Sequence, residues 1–99
     1  MQVSLECVKA LLIYVDTNSN IYNLTSNYSK EEIDFNMDKL LHLDILEKHE
    51  HKLKLTYDGE ILLKLLKNKF KYHLLKERLS KFQSMNLTLI IQEARFLLN

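Results

Sequence analysis

One glycine, Gly59, and no proline in 99 residues leave this chain almost without the punctuation that reverses a backbone. Tight hairpins draw on residues that tolerate positive φ, so sandwiches, barrels and α/β folds with many turns are disfavoured. Glycine-rich phosphate loops of the P-loop or dinucleotide-binding kind are excluded as well, because their backbone meets phosphate only where no Cβ intervenes. The length suits a single core. Hydrophobic residues make up 46% of the chain, enough to fill that core, and a net charge of +1 is too small to hold it open. The single cysteine, Cys7, has no partner for an internal disulfide, which suits a reducing compartment. No apolar run approaches the roughly 18 residues of a membrane span, and Met1–Asp16 lacks a signal peptide's charged start and cleavage site. The expectation is a small cytoplasmic protein of mostly α (α+β) class.

Charge is divided along the chain. Residues 1–58 carry 6 Lys/Arg against 10 Asp/Glu, and residues 59–99 carry 8 against 3. An acidic front joined to a basic back points to a polyanion or to an acidic partner.

Helical spacing of Leu5, Val8, Leu12 and Val15 predicts a first helix over Val3–Val15, with Ser4 near its start as a cap. Asp16-Thr17-Asn18-Ser19-Asn20 is a loop of side chains that compete for backbone hydrogen bonds. A short helix over Ile21–Asn27 follows. Ser29 with Glu32 three residues on forms a capping box, opening a third helix to about Leu43 whose apolar face is Ile33, Met37, Leu40 and Leu41. Two short strands come next, Leu46 to Glu50 and Leu53 to Thr56, joined by Glu50-His51-Lys52; Leu53 and Leu55 alternate with polar residues as in a half-buried strand. Asp58 is placed to cap a helix from Glu60. Helical character then runs to the end, with Ser84-Met85-Asn86 as the expected interruption before a final helix over Leu87–Leu98.

This order resembles the winged helix-turn-helix domain. The segment from Ser29 to Lys48 looks like a recognition helix running into the first wing strand. Leu53-Lys-Leu-Thr-Tyr-Asp-Gly-Glu-Ile-Leu-Leu63 looks like the second wing strand and the next helix start. The likeness covers about residues 3–66 and is closest to small archaeal winged-helix proteins with a long C-terminal dimerising helix. It implies a winged domain over residues 1–66, a C-terminal helical dimerisation extension over 67–99, binding to double-stranded DNA, and transcriptional regulation or a chromatin-type role.

Read as one helix, the C-terminal segment has two apolar stripes about opposite each other. Leu62, Leu63, Leu66, Phe70 and Leu74 form one; Ile61, Leu65, Tyr72, Leu75, Leu79 and Phe82 form the other. A small domain covers one stripe, so the second predicts a homodimer seam at Leu65, Tyr72, Leu75, Leu79 and Phe82. The competing arrangement folds residues 87–98 back over that stripe within one chain.

The third helix would turn Glu31, Glu32, Phe35, Asp38, Lys39 and His42 outward, three carboxylates against one lysine, which opposes entry into a DNA groove. Contacts to DNA are therefore expected from Ser29, Lys30, Asn36 and Lys39 on the third helix and from Lys48, His51, Lys52 and Lys54 on the wing, mostly to phosphates, with Asn36 able to meet adenine. Lysines of the C-terminal segment read most simply as solubilising an exposed helix. The alternative function is a protein-interaction module whose acidic third helix meets a basic partner. His49-Glu50-His51 supplies half of a tetrahedral zinc shell at most, and Cys7 has no identifiable charged orienting group. No metal, no cofactor and no enzymatic activity are expected.

Overall fold

Ser4 fixes where the first helix begins. Its hydroxyl accepts from the Cys7 amide at 3.2 Å, so α1 runs Leu5–Thr17, two residues later at each end than expected. Val3 and Val8, both buried, stand at the hydrophobic-staple positions on either side of that cap. Asn18, at φ 52°, closes the helix in the left-handed region that asparagine tolerates. The computed structural model describes residues 2–18 and 20–98, so Ser19 of the expected loop lies outside the described residues.

A single turn, α2 (Tyr22–Thr25), tucks Leu24 into the core and leads to α3 (Lys30–His42). Both halves of the capping box are present. Ser29 Oγ accepts from the Glu32 amide at 3.1 Å, and Glu32 Oε1 accepts from the Ser29 amide at 3.2 Å. At the other end α3 terminates in a Schellman motif. Asp44 sits at φ 57°, its amide donates to Leu41 O, and the Ile45 amide donates to Leu40 O at 2.9 Å. Ile45 and Leu40, the apolar pair of that motif, are both buried.

The chain then makes an antiparallel ribbon, β1 (Leu46–His49) and β2 (Lys52–Leu55), with Leu46 opposite Leu55 and His49 opposite Lys52. The connecting turn is Glu50-His51, and Lys52 belongs to the strand rather than to the turn. Glu50 takes φ 59° there, the sign a two-residue hairpin requires at its first central residue. Thr56 ties the ribbon's base to the helix after it. Its amide donates to Ile45 O at 3.1 Å and its hydroxyl lies 2.6 Å from Asp44 O and 3.0 Å from Ile45 O, while Oγ1 accepts from the Gly59 amide at 3.0 Å. Thr56, not Asp58, is therefore the cap of α4 (Tyr57–Lys67), and Asp58 lies in its first turn, where a carboxylate suits the helix dipole.

The long C-terminal helix is three helices. Asn68 breaks it with extended backbone (ψ 113°) and caps α5 (Lys69–Leu79), its Oδ1 accepting from the Lys71 amide at 3.0 Å. The break at Ser84-Met85-Asn86 is present, and Asn86 Oδ1 accepts from the Leu89 amide at 2.8 Å ahead of α6 (Leu87–Leu98). The bend at Asn68 invalidates the two-stripe arithmetic across it. α6 returns against α5 and α4, with Leu87, Ile90 and Ala94 buried in the same core as Leu75 and Leu79, and Arg78 Nε donates to Glu93 Oε1 at 3.0 Å across the pair. Leu65, Leu75 and Leu79 are thus covered within one chain. Of the expected seam only half-buried Tyr72 and 45%-exposed Phe82 reach the surface, and Tyr72 lies beneath Lys9, whose Nζ is 4.5 Å from its ring centre.

Candidate nucleic-acid interface

Residues directly opposite in an antiparallel ribbon share a face, so the register sorts the wing's charges. Glu47 pairs with Lys54 and His49 with Lys52, which places these four on one face. Lys48 pairs with Leu53 and belongs to the other face, with Leu46 and Leu55. The basic wing residues are all exposed but do not form a single surface: Lys52 and Lys54 stand together, Lys48 faces away, and His51 occupies the turn. Glu47 tempers the first pair, lying across from Lys54 and 3.0 Å from His49 Nε2.

A groove of about 700 Å³ runs between this ribbon and the end of α1. Tyr14, Asp16, His51, Lys52, Lys54 and Glu60 are among its walls. Lys67 reaches Asp16 from α4 at 3.7 Å and neutralises one of the two carboxylates beside the lysines. What the groove offers is a mixed, solvent-open surface whose basic side is the ribbon.

On α3 the expected set separates. Asn36 is not a reading residue. It is fully buried, its Oδ1 accepts from the Ser4 amide at 3.1 Å, and its Nδ2 donates to Glu32 O at 2.7 Å. A short polar side chain on the inward face serves here to fasten the start of α1 to α3. Asn36 and Leu40 define the buried side, so the exposed side is rotated from the one expected. Glu32 and Phe35 are half-buried, whereas Asp34 joins Glu31 and Asp38 in solvent. Asp34 was missed because Ile33, Met37 and Leu41 weigh the apolar face toward it, although none of the three is fully buried. Ser29 is exposed with its hydroxyl oxygen engaged in the cap, and Lys30 is exposed beside it. Lys39 leans over the Phe35 ring, Nζ 5.3 Å from its centre. The helix segment itself carries Glu31, Glu32, Asp34 and Asp38 against Lys30 and Lys39.

Cys7 is buried, and that burial, with the Glu32 carboxylate adding to it, pushes its thiol up to about 11. Such a thiol stays protonated and packs as a small apolar group. Burial likewise raises Tyr28, with the charges of Cys7, Glu6 and Glu32 acting in the same direction. Among the described residues no three His, Cys, Asp or Glu side chains gather as metal ligands, and no helix is long and apolar enough to cross a membrane. Compared with models of protein families, with curated proteins and with solved structures, the chain has no match.

Proposed function

We propose that this protein is a winged-helix binder of double-stranded DNA that holds the phosphate backbone with its ribbon, in a regulatory or chromatin-type role. The element order α1-α2-α3-β1-β2-α4 supports a winged domain over residues 1–66, extended by the helices of residues 67–99. The observation that carries the reading is the division of charge between ribbon and third helix. Lys52 and Lys54 stand exposed on one ribbon face, whereas the exposed side of α3 presents Glu31, Asp34 and Asp38. Duplex DNA carries about one negative charge per 1.7 Å, so a groove repels that α3 face and attracts the ribbon. Binding of this kind is governed by phosphates and carries little sequence information.

Fluorescence anisotropy with a labelled random duplex tests it. Three phosphate contacts, from Lys52, Lys54 and Lys30, give a log–log salt slope near −2.7, or about 40-fold weaker binding between 50 and 200 mM salt. Lys52→Glu weakens binding further and flattens the slope by roughly one to two. Absence of duplex binding at about 50 mM salt refutes the reading. The same exposed carboxylates, Glu31, Asp34 and Asp38, favour a second one: an interaction module whose third helix receives a basic protein segment. Glu31→Lys with Asp38→Lys separates the two, since it strengthens duplex binding under the first reading and abolishes partner capture under the second.

A further inference from the structure

Three stretches far apart in the chain, residues 2–3, 35–43 and 85–88, wall a groove of about 350 Å³ between the end of α3 and the start of α6. Each stretch is pinned. The Ser4 amide bound to Asn36 holds the N-terminal stretch against α3, the Schellman motif fixes Leu43, and Asn86 caps α6. The groove is thus formed by the fold itself, at the small end of the roughly 300–1,000 Å³ typical of ligand sites. Buried Val3 and Leu87 make its apolar walls together with half-buried Phe35, Leu43 and Met85.

Its ionisable side chains are Lys39 and His42, three residues apart on α3 and therefore neighbours on one face. Both are exposed, and among the described residues neither lies within 4.0 Å of a carboxylate. Phe35 holds the Lys39 ammonium at the groove, Nζ 5.3 Å from its ring centre. The sign of the charge sets this groove apart. Asp16 and Glu60 stand beside the lysines of the ribbon groove, and Asp58 shares a groove of α4 and α6 with Arg95, whereas no carboxylate lines this one. We infer that it binds a small amphipathic monocarboxylate, with the apolar body against Val3, Phe35, Met85 and Leu87 and the carboxylate between Lys39 and His42. The apolar walls select a hydrocarbon body, which gains by leaving water, and the flexible Met85 thioether adapts to a ring or a chain. Lys39 and His42 select the head group. The ammonium and an imidazole N–H both donate, and a carboxylate accepts from two donors at once. A neutral ligand would leave the ammonium uncompensated, and a small inorganic anion would leave the apolar walls in water. None of Lys30, Lys52 and Lys54 lines the groove, so its test is separate from that of duplex binding.

Two-dimensional amide spectra of the labelled protein test the assignment, titrated to about 10 mM with octanoate and with 3-phenylpropionate, each beside its neutral amide. Saturable shifts at Phe35, Lys39, His42 and residues 85–88 are expected with the acids, and the acid bound more tightly shows whether the body is a chain or a ring. Lys39→Gln with His42→Gln should weaken binding of the acid at least about ten-fold, to the level of its amide. Met85→Glu, which adds a carboxylate to the wall outside any helix or strand, should weaken it similarly by repulsion. Circular dichroism establishes that each variant is folded. The inference is overturned if neither acid moves these amides at the highest concentration, or if an amide binds as tightly as its acid. Shifts centred on Lys52 and Lys54 instead, or a folded double variant with wild-type affinity, overturn it equally.

Discussion

Replacing Gly59 with alanine should do the opposite of what a helix interior usually does. In an ordinary helix the change gains about 1 kcal/mol, because alanine loses less backbone entropy on folding. At this position a Cβ would meet the Ile45 carbonyl oxygen inside the 3.0 Å that real Cβ atoms keep, with the Ile45 carbonyl carbon at 3.3 Å and Leu55 Cβ at 3.5 Å. The obstacle is backbone, which has no rotamer to yield. Moreover, Ile45 O is already the acceptor for the Thr56 amide at 3.1 Å and the Thr56 hydroxyl at 3.0 Å. Moving it away from the new methyl loosens two hydrogen bonds worth about 1 kcal/mol each. Overpacking adds roughly 1–3 kcal/mol. Set against the helix-propensity gain, the net expectation is a loss of about 2–4 kcal/mol. Urea denaturation followed by circular dichroism measures it directly, and for a chain of this size the melting temperature should fall by roughly 10–25 °C. If the alanine variant equals or exceeds the wild type in stability, α4 does not pass closely against the α3–β1 joint, and the packing of the ribbon's base is wrong.

Asp44→Gly should act in the reverse sense: the left-handed φ of 57° in the Schellman motif costs a non-glycine residue, so a gain of roughly 0.5–1 kcal/mol is expected in the same denaturation assay. Asn36→Ala leaves the Ser4 amide without its acceptor, while Glu32 O loses its side-chain donor and keeps its place in the helix ladder; stability should drop by about 1–3 kcal/mol while duplex affinity of the folded variant stays unchanged, because Asn36 cannot reach a base. Alkali should also destabilise the fold through Cys7. A thiol with a folded pKa of about 11 and an unfolded value near 9 keeps its stabilising contribution below pH 9 and loses it as pH rises from 9 to 11, by up to roughly 3 kcal/mol. Denaturation midpoints for the wild type should therefore fall across that window, and those of Cys7→Ala should fall less.

Features encoded within three or four residues were legible in the sequence. Ser29 with Glu32 announces a helix start because the two side chains satisfy each other's backbone amides, whatever lies beyond them. Alternation at Leu53 and Leu55 placed the second strand for the same reason. Gly59 was visible only as a glycine, because the need for it comes from Ile45, fourteen residues earlier. Asn68 was missed since asparagine continues a helix at modest cost, and only the extended backbone at that residue shows it acting as a cap. The return of α6 after Ser84-Met85-Asn86 decides the fate of Leu75 and Leu79: it closes over their stripe within one chain, the arrangement that competed with a dimer seam. Asn36 misled in the other direction, because a polar residue on a helix reads as outward until a backbone amide from another element is seen to need it. Of the candidate interface, the lysines were legible and their partition between two ribbon faces was not, since it depends on a register set by pairing across the turn.

DNA binding of the proposed kind requires that the ribbon and Lys30 at the start of α3 meet phosphate while the acidic side of α3, with Asp34 and Asp38, does not. A two-dimensional amide spectrum of the labelled protein, titrated with a short random duplex at low salt, answers residue by residue. Shifts concentrated over Lys48–Leu55 and near Lys30, fading as salt is raised, are the expected result. Shifts centred on Glu31, Asp34 and Asp38, or a spectrum unmoved at saturating duplex, would contradict it.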